Sequence, residues 1–318
     1  MDVGRLIGDA WATTWRSRFL WALALFAGGA SGVSFGSGRS FGWRANRGDG
    51  GPTPPAVAGY VDQGAAWAAA HIGLLVAAGV FAAVVALALA VVWLIAQGGM
   101  AEATVELGTG RRTTLGRAWR AGTRLFWRYA GLWLTLALLS FAVAAVIGGG
   151  VALVVGLGAV TGSRVAAVVM GLALGVPLVL ALIALGVGAN IVVAFAQRAI
   201  AAEDEGPIAA LRSGWWLLRA HLGESVLTWI VSVGLTIVAG VGIALAAALT
   251  AGVLLGVGAL LWALAGMSAA TIAYAILGAL VVLGVVLVLG AITNTFFWNY
   301  WTLAYLRLSG RTQAPATA

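Results

Sequence analysis

Unbroken apolar runs separated by short polar stretches fill most of this chain. Gly73 to Ala96 and Val165 to Ala196 contain no charged residue, and neither does the whole of Ser225 to Leu306. A hydrocarbon core of ~30 Å is crossed by about 20 helical residues. On that scale the pattern predicts six spans, at 18–33, 66–96, 130–158, 165–197, 224–254 and 269–306. Strands of a membrane barrel would alternate polar and apolar positions over segments of about ten residues, and these runs do not alternate. Helices are therefore expected, because each backbone N–H and C=O in lipid needs a partner inside the protein. The uncharged C-terminal region is read as two helices joined by a turn near Ala265 to Ala270.

Composition agrees with lipid as the solvent. Of 318 residues, 62% are hydrophobic and only 9% are charged, against roughly a quarter charged in a soluble domain; mean hydropathy is +1.03. The net charge of +8 comes entirely from Arg, since the chain has no Lys. A pI near 11.2 would suit nucleic acid, but Arg beside spans is explained by topology, and no nucleic-acid partner is expected. With the N-terminus inside, 14 of the 18 Arg lie on the cytoplasmic side, leaving Arg39, Arg44, Arg47 and Arg164 outside. Trp follows suit, with only Trp43, Trp67 and Trp262 of 15 on the outer side. The expected orientation is N-in and C-in. No Cys is present, which removes disulfides and thiolate chemistry.

The polar stretches repeat. Trp15-Arg16 with Trp21 and Trp127-Arg128 with Trp133 have identical spacing, and Gly8-x-x-Trp11 answers Gly116-x-x-Trp119. A weaker third copy runs from Ser213-Gly214-Trp215 through Arg219 to Trp229. The expected architecture is all-α: one membrane domain of three related units, 1–107, 108–205 and 206–308, each an interfacial helix followed by a two-span hairpin. Because the motif recurs before the third span, the N-terminal apolar segment is read as retained and not as a signal peptide. Residues 34–62 are expected to form a flexible outer loop, which Phe35, Phe41 and Trp43 can dock, and 309–318 a disordered tail. The leading helices are amphipathic, with Asp2, Arg5, Asp9, Thr13 and Arg16 on one face of the first and Arg117, Arg120, Arg124 and Arg128 on one face of the second. Such helices lie in the headgroup plane. The expected lipid-headgroup or partner contacts are therefore Arg16, Arg18, Arg117, Arg120, Arg124, Arg128, Arg212 and Arg219, anchored by Trp11, Trp15, Trp119, Trp127 and Trp215.

Candidate chemistry inside the membrane is sparse. His71 is the one intramembrane ionisable group of note, with Asn190 and Asn294 as further polar positions. His221 falls on the opposite side from His71, so the two histidines are not expected to share a metal or haem. Interhelical hydrogen bonding is the preferred reading for Asn190, Asn294, Gln97, Gln197 and Asn299. Glu102, Glu106, Glu203, Asp204 and Glu205 are expected to form salt-bridged staples, with Arg111, Arg112 and Arg198 available by sequence. The pairs Gly28/Gly32, Gly171/Gly175 and Gly252/Gly256 permit close helix contact. No Walker loop, HExxH or GxSxG motif occurs, and no cofactor, metal site or catalytic residue is expected.

The segments Ala10-Trp11 through Trp21, Leu115 to Trp133, Arg198 to Asp204 and Ala210 to Trp215, with the Gly/Ser-rich first outer loop, touch all three units. In these the chain resembles uncharacterised bacterial six-span membrane proteins, some labelled as glycerophosphoryl diester phosphodiesterase membrane domains. The resemblance implies the bacterial cytoplasmic membrane and a multi-pass bundle without the separate catalytic domain. The expectation for function is a non-enzymatic protein that organises anionic lipids, a protein partner or further copies of itself at the inner face. The competing expectation is a transporter or channel subunit for a small or lipid-like solute.

Overall fold

Asp2 opens the first helix, its side chain accepting the Arg5 N–H at 3.1 Å as an N-cap does. This helix, α1 (Val3–Arg16), stops at Ser17, and a short helix α2 (Leu20–Ala27) follows. In the computed structural model, residues 2–28, 67–161, 164–266 and 268–311 are described. Five long helices account for most of them: α3 (Ile72–Gly108), α4 (Leu115–Thr161), α5 (Arg164–Glu203), α7 (Leu222–Ala265) and α8 (Ala269–Leu308). Between the last three lies α6 (Pro207–Ala220), which begins on Pro207 at its first turn, where a missing N–H costs nothing. No strand occurs among the described residues.

All five long helices are long and apolar enough to cross a membrane. At 1.5 Å per residue the 37-residue α3 measures about 55 Å and the 47-residue α4 about 70 Å, well beyond a hydrocarbon core of ~30 Å. Five of the six expected spans thus coincide with helices. Of the first, 18–33, only the eight residues of α2 are helical among the described residues, and 29–33 lie outside them. The expected outer loop, 34–62, and residues 312–318 of the expected tail also lie outside. The break between α7 and α8 falls at Gly266 to Ser268, inside the predicted 265–270. Gly266 takes φ 62° there, and Ser268 caps α8 by accepting from the Thr271 N–H.

One expectation fails in the second unit. Its Arg-rich segment is not a separate interfacial helix: α4 runs unbroken from Leu115 to Thr161. In the first and third units the helix does break, at Ser17 (φ −110°, ψ 52°) and at His221 (φ −131°, ψ 46°). The Ser17 hydroxyl donates back to Thr13 C=O at 2.6 Å, a local bond that competes with helix continuation. The corresponding joint of α4 runs through Arg128, Tyr129 and Ala130, with no residue of that kind.

The described chain divides into two compact units. The smaller, Ser34–Trp93, contributes residues 67–93: a helical turn at 67–70 and the first part of α3, with Phe81 and Leu87 strongly exposed. The larger, Met1–Val33 with Leu94–Ala318, contains everything else. Its burial is concentrated at one end. Residues 96–101 of α3, 194–200 of α5 and 295–306 of α8 are buried without interruption, which requires neighbours on every side of each helix. These three are the inner helices, joined by the Thr104 and Thr302 hydroxyls at 2.9 Å and by Phe195 against Trp301. Around them the outer helices bury single stripes: Leu6, Ala10 and Thr14 of α1; Ala118, Gly122, Leu125 and Tyr129 of α4; Ala210, Gly214 and Leu218 of α6; Ser225, Thr228 and Ser232 of α7. Spacing by three and four is the signature of one packed helix face. We call this region the packed end. Toward the other end, α4, α7 and α8 expose apolar side chains such as Phe141, Leu249 and Leu283. There a cleft of about 1250 Å³ separates α7 from α8, lined by Leu254, Gly258, Trp262, Tyr274 and Gly278 among others.

Candidate functional site

The packed end carries nearly all the polar chemistry, in three layers. Outermost are the basic and aromatic side chains that the sequence marks as contacts. Arg16, Arg18, Arg120, Arg212 and Arg219 are exposed and, among the described residues, bridge to no carboxylate. Arg18 lies 5.8 Å from the Trp15 ring and Arg219 lies 5.3 Å from the Trp215 ring, each at the C-terminal end of its amphipathic helix. Trp11 and Trp15 meet edge to face at 5.6 Å while remaining half exposed. Trp119 and Trp215 are exposed too, and Trp127 is 80% exposed.

A second layer of ion pairs uses the rest of the basic set. Arg117 reaches Glu106 at 4.0 Å, Arg124 reaches Glu102 at 2.8 Å, and Arg128 holds both the carboxylate and the C=O of Asp204. Arg311 lies 3.1 Å from Glu203, which also accepts from the Tyr305 hydroxyl at 2.5 Å, and Arg307 holds Asp9. Glu205 accepts from Ser213. The expected staples therefore exist, with other partners than Arg111, Arg112 and Arg198. Helix geometry explains the difference: Arg117, Arg124 and Arg128 project from one side of α4 toward the ends of α3 and α5, while Arg198 turns inward. Between these ends a cavity of about 180 Å³ is lined by Glu102, Glu106, Arg111 and Arg311 among others. Among the described residues no group of His, Asp and Glu is arranged to hold a metal ion.

The third layer is a set of hydrogen bonds between helices. Trp133 Nε1 donates to Gln97 Oε1 at 2.9 Å, and Trp229 Nε1 donates to Asn190 Oδ1 at 3.1 Å. Asn294 Nδ2 donates to Ala24 C=O at 2.6 Å, and Asn299 Nδ2 to the Thr14 hydroxyl at 3.1 Å. In each case an amide on an inner helix meets the outer helix that packs beside it. Asn190 and Asn294 thus each make a hydrogen bond between helices. His71 stands apart: it is exposed in the smaller unit, its ring stacked 4.7 Å from Trp67 and its Nδ1 2.8 Å from Trp67 C=O. His221 sits at the α6–α7 break, 3.9 Å from Glu224.

Of the expected pairs, Gly252/Gly256 is not a close contact, while Gly32 and the surroundings of Gly171 lie outside the described residues; other glycines make the close approaches that are described. A Cβ on Gly175, Gly252 or Gly256 would meet nothing within 4 Å. A Cβ on Gly122 would fall 2.0 Å from Ile95 O, on Gly99 2.6 Å from Ala118 O, and on Gly214 2.8 Å from Val192 O. Arg198 was also not foreseen as a buried cation. It is wholly buried within α5, donating through Nη1 to Ala194 C=O and Gln197 Oε1, with its guanidinium 4.4 Å from the Trp298 ring centroid. Its place one residue after Gln197, in a run of Ala and Phe, was the available signal.

No curated protein and no solved structure matches this chain. The family model that matches shows no link to the glycerophosphoryl diester phosphodiesterase membrane domain. Residues 8–311, from α1 through the end of α8, match the profile of a family of unknown function (DUF7544), and the chain belongs to that family.

Proposed function

We propose that this is a non-enzymatic, multi-pass protein of the bacterial cytoplasmic membrane that gathers anionic lipids, or a partner protein, at the inner face. In this reading the packed end faces the cytoplasm, and three related units supply six spans with both termini inside. The parallel breaks at Ser17 and His221 support the relation between the first and third units. The matching bonds of Trp133 and Trp229 to amides on the preceding inner helix support the relation between the second and third.

The observation that carries the reading is the pair of exposed Arg–Trp stacks, Arg18 on Trp15 and Arg219 on Trp215, with Arg16 and Arg212 nearby in sequence and, among the described residues, no carboxylate bridged to any of the four. An indole settles at the membrane interface, and a basic side chain there gains about 1 kcal/mol from an anionic leaflet. Four such charges together favour anionic over zwitterionic lipid by on the order of a thousandfold. Asn190 and Asn294, which a solute path would need to line, are engaged in helix packing instead.

The test is lipid retention in nanodiscs of mixed phosphatidylglycerol and phosphatidylcholine, measured by native mass spectrometry. Replacing Arg16, Arg18, Arg212 and Arg219 with Gln is expected to abolish the enrichment of phosphatidylglycerol and leave thermal stability unchanged. Equal enrichment in the variant and the parent would refute the lipid role.

A further inference from the structure

Arg198 poses a problem that the ion pairs around it do not solve. The side chain is 0% exposed, and Nη1 alone has partners; Nε and Nη2 are buried without any. Among the described residues, no carboxylate lies within bridging distance of it. The nearby acids are committed elsewhere: Glu102 to Arg124, Glu106 to Arg117, Glu203 to Arg311 and Asp204 to Arg128. Trp298, whose ring lies against the guanidinium, is also buried, and its Nε1–H likewise has no acceptor. Arg198 Nε and Nη2 and Trp298 Nε1 are thus buried donors beside a positive charge, with no acceptor among the described residues.

Three partial remedies fall short. The face of Trp298 attracts the cation but accepts nothing from the N–H groups at its rim. Arg198 lies five positions before Glu203, the last residue of α5, so the negative end of the helix dipole offsets part of the charge without supplying an acceptor to Nε or Nη2. A water molecule would accept hydrogen bonds and leave the charge uncompensated, and a buried unpaired charge is strongly disfavoured. A single guest that both accepts and neutralises is an anion. Because Arg198 is fully buried and Trp298 is 1% exposed, that guest must be small.

We propose that Arg198 and Trp298 form a binding site for a small inorganic anion, chloride under cellular conditions, inside the packed end. The site is separate from the exposed Arg–Trp surface and holds whether or not that surface binds lipid. Its role is structural: the anion completes the inner three-helix core and couples the stability of α5 and α8 to halide.

The experiment uses the full chain in a zwitterionic detergent, so that no anionic lipid competes. Thermal unfolding is measured in sodium chloride and in sodium gluconate at equal ionic strength. At a hundredfold excess over its dissociation constant, chloride is expected to raise the midpoint by about 5 °C. Arg120→Gln, on the surface, is expected to keep this difference, and Arg198→Met to lose it. If Arg198→Met does not fold, the parent protein still gives the answer through bromide, which quenches a touching indole. Quenching is then saturable, reversed by chloride, and reduced in Trp298→Phe. Equal midpoints in chloride and gluconate, with quenching that rises linearly and identically in Trp298→Phe, would overturn the site and leave water as the partner of these donors.

Discussion

The seam between α3 and α4 makes a sharp demand on Gly122. A methyl group there would sit 2.0 Å from Ile95 O, 2.9 Å from Ile95 C and 3.0 Å from Gly99 N. All three are backbone atoms of the neighbouring helix, so no rotamer change can relieve the clash. A carbon approaches a carbonyl oxygen to no closer than about 3.3 Å, and Gly122→Ala must therefore push the helices apart by about 1.3 Å. A gap of 0.5–1 Å already forfeits a quarter to a half of each dispersion contact, and the loss extends to Gly98, Gly99 and Leu125 along the same seam. Overpacking costs about 1–3 kcal/mol, and rigid atoms on both sides put this case near about 3 kcal/mol. Against it stands the helix preference for Ala over Gly, close to 1 kcal/mol. The net expectation is a loss of about 2 kcal/mol, or about 3–4 °C in the unfolding midpoint of a chain of this length. Tryptophan-fluorescence melting of the detergent-solubilised protein reads this directly. Gly234→Ala in α7, where a Cβ meets nothing within 4 Å, is the control and is expected to be neutral or stabilising. A Gly122→Ala midpoint equal to or above the parent's would refute the claimed helix approach.

Two further outcomes follow from the same packed end and its surroundings. Trp133→Phe leaves the buried Gln97 Oε1 without its 2.9 Å donor and is expected to cost about 1–3 kcal/mol. Combining it with Gln97→Leu recovers part of that loss, so additive effects in a double-mutant melting cycle would contradict the bond. His71→Ala is expected to change stability by no more than about 0.5 kcal/mol, because the ring is exposed and, among the described residues, rests on Trp67 of its own helical turn; a larger fall in the melting curve would show a packing role.

The long helices were legible because lipid imposes a simple rule on sequence: apolar for about 20 residues, with helices as the local solution. The Gly266 to Ser268 break was found from length alone, since a helix through all of Ser225 to Leu306 is far longer than any bilayer. The staples were legible as a class and not as pairs. Which Arg meets which Glu depends on how α4 is rotated against α3 and α5, and a single sequence does not encode that rotation in any local pattern. The same reason hid Gly98, Gly99, Gly122 and Gly214 among 46 glycines, because small residues mark a contact only once the neighbouring backbone is placed. Arg198 was misjudged by distance along the chain. Close to the polar residues Glu203, Asp204 and Glu205, it reads as part of a hydrated helix end, whereas consecutive burial of 194–200 puts it inside.

Why the interhelical chemistry gathers at one end follows from the solvent. Lipid tails are as apolar as Leu, so burying apolar helix faces against one another gains little in a membrane, and association rests on close packing and hydrogen bonds. In this chain the side chains able to supply those, Gln97, Asn190, Asn294, Asn299, Trp133 and Trp229, lie in one zone together with the glycines of close approach. Away from that zone α7 and α8 are tied by Tyr274 OH to Leu254 C=O and flank the apolar cleft. Helices of roughly 55–70 Å exceed the hydrocarbon by about half their length, and in the orientation proposed above that excess emerges at the packed end. The interhelical bonds gathered there then hold α1 and α6, with their Arg–Trp pairs, in fixed places at the proposed lipid-binding surface.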